Sequence, residues 1–171
     1  MPRTLLDACG FLAGFWLAVA LLLPIGAPWA AAEDPGLALL ETRLHDAVND
    51  FRREQHLIPL ERKPELDAVA RAHCDDMVRR GFFSHASPEG NTWVERLSLA
   101  GVTGFTMAGE NVGQTSRSDP NREILEGWKA SPAHRENLMS RPMNATGVGI
   151  VRAPDGRLFY TQLYLHLGRN D

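Results

Sequence analysis

The chain has 171 residues, 18 Lys+Arg against 21 Asp+Glu, a formal net charge of −3 and two Cys. That length accommodates one compact domain with a short appendage and leaves no room for a separate cofactor-binding domain. Its interspersed, near-neutral charges lack the basic face that phosphate contacts require, which excludes nucleic acid as a partner, and a hydrophobic content of 44% excludes a largely disordered chain.

The beginning reads as an export signal. Met1-Pro2-Arg3 is a basic start, Phe11 to Ile25 is a dense apolar run, and Ala30-Ala31-Ala32 is a small-residue cleavage site behind the breaks at Pro24, Gly26 and Pro28. Residues 1–32 are expected to form a signal peptide and 33–171 the mature domain. The alternative is an uncleaved anchor, because an apolar run of this length could cross a bilayer. The domain is then expected to be secreted, extracellular or periplasmic, touching the membrane only through that signal. Cys9 lies too early for lipidation and leaves with the signal. Cys74 remains as a small buried hydrophobe, so the core must hold without an internal disulfide. The sequon Asn144-Ala145-Thr146 matters only where the source glycosylates exported proteins.

Asp34-Pro35 is an N-cap and first-turn pair, and Leu37, Leu40, Leu44, Val48 and Phe51 recur at helical spacing through about His56. A second helix starts at Lys63-Pro64-Glu65, carries Leu66, Val69, Ala70, His73 and Met77 on one stripe, and stops at Gly81. His73 on that stripe reads as a core histidine with a hydrogen-bonded ring nitrogen. Phe82-Phe83-Ser84-His85 leaves on a loop, turns through Ser87-Pro88-Glu89-Gly90, and enters a short helix from about Thr92 to Ala100. Gly104 to Gly109 reads as loop, and Glu110-Asn111-Val112 as the start of a short strand. Asp119-Pro120 opens a helix with Ile124, Leu125 and Trp128 inward, and Ser131-Pro132 opens a last helix that carries His134 and Leu138 and ends at Pro142. Trp93 and Trp128 read as packing residues. Gly147 to Arg152 and Leu158 to Leu167 are strands joined by the hairpin turn Ala153 to Arg157. This order lacks the repeated strand-helix-strand units of a parallel sheet. It predicts an α+β fold, an antiparallel sheet covered by helices.

His-Glu-x-x-His, Cys-x-x-Cys, a Gly-rich phosphate loop and a Gly-x-Ser-x-Gly elbow are all absent from the sequence. Three dispersed polar residues lie at element boundaries instead: His85, Glu110 and His134. Two imidazoles and a carboxylate could bind a divalent ion such as zinc, or Glu110 could serve as a general base with a histidine as its acid partner. Each could equally be a cap or turn residue bonded to nearby backbone.

These residues and their neighbours resemble the signature of the CAP superfamily, named for cysteine-rich secretory proteins, antigen 5 and pathogenesis-related proteins, and most of all its bacterial SCP-like branch. Phe82-Phe83-Ser84-His85 is similar to the family's first histidine motif and Gly109-Glu110-Asn111 to its Gly-Glu-Asn motif. Trp128 with Ser131-Pro132-Ala133-His134-Arg135-Glu136-Asn137-Leu138 resembles its bacterial Trp and Ser-Pro-x-His-Arg segment. Gly147-Val148-Gly149 resembles the strand that follows, and Phe159-Tyr160-Thr161-Gln162 lies on the last one. The resemblance implies an α-β-α sandwich with a small antiparallel sheet, secretion, and a central cleft lined by two His and two acidic residues. His85, Glu110 and His134 match three of those four positions. The fourth, three residues after the tryptophan, is Ser131 here; Glu123 or Glu126 could reach the cleft, although a solvated helix face suits both. Asn111 and Gln162 join Ser131 as candidate cleft neighbours.

Within such a family the two histidines are implicated in holding zinc or a similar ion, other members bind sterols or lipids, and proteolysis has been suggested for some. The leading expectation is a secreted binding module whose cleft holds a divalent metal ion such as Zn2+, or a small ligand, through His85 and His134, with Glu110 as neighbour or third ligand. A hydrolase of peptide or cell-wall bonds, metal-assisted or using Glu110 as base, is the second reading. A lipid-binding or structural domain, with Val102, Phe105 and Met107 lining a groove, is the third. The expected partner is a small ligand, a lipid or a cell-envelope component, and no catalytic residue is assigned.

Overall fold

The computed structural model describes residues 34–168; the expected export signal, residues 1–32, and Cys9 lie outside the described residues. In chain order the elements are α1 (Pro35–Glu54), β1 (Glu61–Arg62), α2 (Pro64–Arg80), α3 (Trp93–Leu99), β2 (Phe105–Thr115), α4 (Pro120–Ala130), α5 (Pro132–Met139), β3 (Ala145–Arg152) and β4 (Leu158–Leu167). Local chemistry accounts for the helix ends. The Asp34 carboxylate accepts from the Gly36 amide at 2.9 Å, and Pro35 occupies the first turn, where a missing N–H costs nothing. Gly81 closes α2 in the left-handed region at φ 68°, and Thr92 with Glu95 forms a capping box on α3.

The sheet has the order β1-β3-β4-β2, with β3, β4 and β2 antiparallel and β1 parallel to β3. Helices cover both faces, which gives the expected α-β-α sandwich. Strand alternation divides the core. Tyr160 and Tyr164 pack with Leu44, Val48, Ile124, Trp128 and Leu138 of α1, α4 and α5, while Leu163 and Leu165 pack with Leu66, Val69, Ala70 and Leu97 of α2 and α3. Because β4 is covered on both sides, its residues 158–165 are all buried.

Two details depart from the sequence-based expectation. The sheet is mixed rather than wholly antiparallel, because two residues, Glu61 and Arg62, pair alongside Ala145 and Thr146. Strand β2 begins at Phe105, inside the stretch expected to be loop, and carries a register shift between Phe105 and Met107. Such a bulge lets a glycine-flanked segment keep pairing while it bends.

The short β1 leaves the outer edge of β3 exposed beyond Thr146, and buried carboxylates take the place of a strand there. The Val148 amide donates to Asp67 at 2.7 Å and the Ile150 amide to Glu41 at 3.1 Å. Arg62 ties Asp67 to Glu41, and Arg71 adds a second cation on Glu41 at 2.6 Å. Each buried acid is thereby both paired and hydrogen-bonded, as burial requires. Cys74 is buried, its Sγ lying 3.2 Å from the Thr161 hydroxyl and 3.3 Å from the Gly149 carbonyl, and burial pushes its thiol pKa up to about 12, so it is inert at neutral pH. The sequon is sealed: the Asn144 side chain exchanges two bonds with the Leu167 backbone and Thr146 is fully buried.

Gly147 and Gly149 place β3 directly under α2. A Cβ on Gly147 would run into the Leu66 carbonyl carbon, and one on Gly149 into the Ala70–Arg71 backbone, neither of which can rotate away. Gly149→Ala is expected to destabilise the domain by about 3 kcal/mol through overpacking, read as a lower urea midpoint, with Gly127→Ala, where nothing lies within 4 Å of the new methyl, as the tolerated control.

Candidate functional site

Strand β2 is an edge strand, and the site gathers along its free edge. Glu110 sits on the α2/α3 face, opposite Leu163 in the register, and its side chain is wholly shielded from water. His85, on the loop between α2 and α3, donates Nδ1–H to Glu110 Oε1 at 2.9 Å. Arg96 of α3 holds the other oxygen, Oε2, and its NH1 donates to the carbonyls of His85 and Asn91, each at 3.0 Å. Trp93, one helical turn before Arg96, meets the His85 ring edge-on at 5.9 Å between centroids.

His134 comes from the opposite layer, in the first turn of α5, and its ring lies 5.9 Å from that of His85. The position of α5 is set by amides and one guanidinium. Asn111 Nδ2 donates to the His134 carbonyl at 3.1 Å, and Asn137 Nδ2 donates to the Glu110 carbonyl at 3.0 Å and to Asn111 Oδ1 at 2.9 Å. Gly109 makes room for this, since a Cβ there would overlap the Asn137 amide. At the other end of α5, the fully buried Arg52 donates to the carbonyls of Leu138 at 2.9 Å and Ser140 at 3.1 Å, placing a cation at the negative end of the helix. Burial lowers the Arg52 pKa from its ordinary value.

His85, Glu110 and His134 thus converge. The remaining candidates do not join them. Gln162 is fully buried in the sheet, bonded to the Thr146 hydroxyl at 3.1 Å and the Tyr164 hydroxyl at 2.8 Å, and Asn111 belongs to the same chain of bonds through Tyr164 at 3.2 Å. Both brace the site from behind. Ser131 is the junction between α4 and α5 and makes no side-chain cap bond. Glu123 bonds Thr115 and lies 3.5 Å from Arg117, and Glu126 pairs with Lys129 at 3.0 Å on the exposed face of α4, so neither acid reaches the imidazoles. Trp128 packs in the core, its indole N–H donating to the Val112 carbonyl at 3.0 Å, and Trp93, half-buried, packs against the α2/α3 core as expected while also walling the site. Val102 and Phe105 pack against the α2/α3 core. Val102 also borders a groove of about 720 Å3 near the start of α2, which Phe105 and Met107 do not line.

Sequence reasoning passed over Arg96, an arginine on a short helix that reads as a solvated side chain. Its phase gives it away: with Trp93 at i−3 and Leu97 beside it, it falls on the inward stripe of α3.

His85 Nε2 and both ring nitrogens of His134 have no protein partner among the described residues. Burial lowers the His134 pKa below its ordinary value, and a positive charge on His85 would lower it further. Among the described residues no group of three or more His, Cys, Asp or Glu is arranged to hold a metal ion. What is available is a pair of imidazoles with a carboxylate braced behind one of them.

A family model described as CAP, the cysteine-rich secretory protein family, matches residues 45–164, a span that contains every residue of this site. The chain belongs to that family. Among curated relatives, the uncharacterized protein YkwD of Bacillus subtilis is 28% identical over 113 residues, covering 66% of this chain and 43% of its own length. The uncharacterized membrane protein YlbC of the same organism is 31% identical over 125 residues, covering 73% and 34%. The chain thus spans less than half of the curated relatives it matches. An extracellular SCP-domain protein from Bacillus anthracis has a solved structure with TM-score 0.68 and 30% identity, covering 82% of this chain and 45% of its own. An outer surface protein of Borrelia burgdorferi shares the fold at TM-score 0.69 and 18% identity, covering 76% and 94%. No helix among the described residues is long and apolar enough to cross a membrane.

Behind the cleft, His73 is 1% exposed and its Nε2–H donates to the Ser84 carbonyl at 2.9 Å, anchoring the loop that carries His85. Burial lowers its pKa, outweighing the attraction of Glu110. The unfolded chain therefore takes up a proton near pH 6.5 that the native ring does not, so the stability His73 contributes is complete above about pH 6.5 and is lost as pH falls through the lowered native value. Thermal melts are expected to give a flat Tm above that pH and a decline below it, with a shallower acid slope in His73→Gln.

Proposed function

We propose that this CAP domain is an exported binding module whose His85 and His134 imidazoles together take a borderline divalent ion such as Zn2+, or a small ligand that such a pair can grip. The observation that carries the reading is the His85 Nδ1 bond to Glu110 at 2.9 Å. It fixes the proton on Nδ1 and leaves the Nε2 lone pair available, the arrangement by which carboxylates orient histidines that bind metals. Glu110 is assigned as the orienting partner rather than a third ligand, because both its oxygens are engaged by His85 and Arg96. The same engagement argues against Glu110 as a free general base.

The donor chemistry fits imidazole-seeking ions and not oxygen-seeking ones. Two imidazole nitrogens, with both Glu110 oxygens engaged, suit Zn2+, Cu2+ or Ni2+ and offer Mg2+ or Ca2+ little. A bound ion would supply Lewis acidity and open positions for an outside donor. The residues of this chain orient one imidazole, hold the other through the α5 backbone, and wall the pair with Trp93. A cell-envelope component or a small ligand with a nitrogen or oxygen donor is the class of partner that such a site would take.

Isothermal titration is the test. The wild-type domain is expected to bind one Zn2+ and no Mg2+ or Ca2+; His134→Ala is expected to weaken zinc at least tenfold without loss of stability, since Asn111 holds the backbone rather than the ring at His134, and His85→Ala to weaken it at least tenfold with a lowered Tm, since Glu110 then loses a donor. Equal, weak uptake by all three proteins would overturn the metal reading.

A further inference from the structure

The second group that holds Glu110 is a cation. Ser131 offers no carboxylate, Glu123 and Glu126 are engaged on α4, and the side chain that closes around Glu110 is Arg96, 13% exposed. Its guanidinium makes three connections at once: to Glu110 Oε2, to the carbonyl of His85, and to the carbonyl of Asn91. The last two bracket the loop that carries His85, closing residues 85 to 91 onto α3. The first holds the carboxylate so that its other oxygen faces His85 Nδ1.

We propose that Arg96 is the positioning residue of this site: by clamping Glu110 and the His85 loop together it fixes the direction of the His85 ring and so sets the affinity of the imidazole pair. The inference rests on the binding reading above, but its geometry does not require a ligand. A fork is needed here rather than a charge. Glu110 lies on β2 and His85 and Asn91 at two points of the loop before α3, and the planar guanidinium donates to all three from fixed directions, whereas an ammonium on a flexible stem is a single point of contact. Without the fork, the carboxylate has one partner, the loop loses two carbonyl anchors, and the His85 ring is free to turn. The resulting site differs from one built on two acids: Arg96 balances Glu110, and the two imidazoles are left as the donors.

Two variants and two readouts test this. Nitrogen-15 spectra of the metal-free wild type at neutral pH are expected to show His85 as the Nδ1–H tautomer, with that proton protected from exchange by the shielded carboxylate. In Arg96→Met and Arg96→Lys the protected signal is expected to be lost or averaged while core methyl signals persist, and zinc affinity to fall roughly ten- to a hundredfold, the usual cost of removing an outer partner of a ligating histidine. Arg96→Met leaves a buried carboxylate short of a cation and could fail to fold; Arg96→Lys keeps the charge, and its spectrum then decides. A Lys variant with the wild-type tautomer, exchange protection and zinc affinity overturns the proposal. If the wild type takes up no zinc, the metal reading falls, while the ring signals of the metal-free proteins still judge Arg96.

Discussion

Glu110 is a carboxylate cut off from water in the interior of a folded chain. Such a group is costly by several kcal/mol unless donors meet it from well-chosen directions, and that requirement organises the surroundings. It demands a donor from the loop after α2, which is His85, and one from α3, which is Arg96. The same residue's backbone carbonyl, on the free edge of β2, draws in Asn137 from α5. The α2–α3 loop, α3 and the distant α5 are thus referred to one position on one strand. The cleft is what lies between them.

The other imidazole is placed by a different means. His134 contributes no side-chain bond of its own, and its position follows from the helix that bears it. Asn111 and Asn137 hold the start and middle of α5 against β2, Gly109 lets that approach happen, and Arg52 holds the far end. Asn111 is in turn tied through Tyr164 and Gln162 to Thr146, whose hydroxyl donates to the Leu163 carbonyl at 2.7 Å. A fully satisfied polar chain of this kind is rigid, because moving one member unpairs the next. The exposed partner-free nitrogens therefore sit on a support that reaches through the sheet to β3. This is the arrangement expected of a site that must keep its geometry while nothing is bound.

Much of this was legible in the residues. Pro35, Gly81, the Thr92 cap and the hairpin from Ala153 to Arg157 announce themselves locally, since each reflects a backbone requirement that few residues meet. The convergence of His85, Glu110 and His134 came from matching motifs in family order; spacing alone left a metal site, a base and a bonded turn all open. What escaped notice shares one physical cause. Glu41, Arg52 and Arg96 are charged residues in phase with apolar ones, at 41, 44, 48 and 52 in α1 and at 93, 96 and 97 in α3. Composition-based reasoning sends such charges to the surface, and only their tertiary partners reveal that they point inward. The two-residue β1 and the start of β2 at Phe105 were hidden too, because a strand of two residues, or one that opens between Gly104 and Gly109, has no periodicity to detect.

Those inward charges also explain how a sandwich whose described part holds one cysteine, and that one free and buried, ties its layers together. Glu41 reaches from α1 to the Ile150 amide, Asp67 from α2 to the Val148 amide, and Arg52 from α1 to the end of α5, each spanning about 80 residues or more of chain. A disulfide across such a distance would stabilise chiefly by restricting the unfolded chain. A buried ion network does little of that, and its net gain over an apolar replacement is small or negative. Its effect is on alternatives. Removing either partner strands a charge in the interior at a cost of about 3–5 kcal/mol, so any packing that shifts α1 by a turn, or β3 by one residue, breaks several such pairs at once. The network therefore adds the cost of unpaired buried charge to the apolar burial that a shifted register would lose.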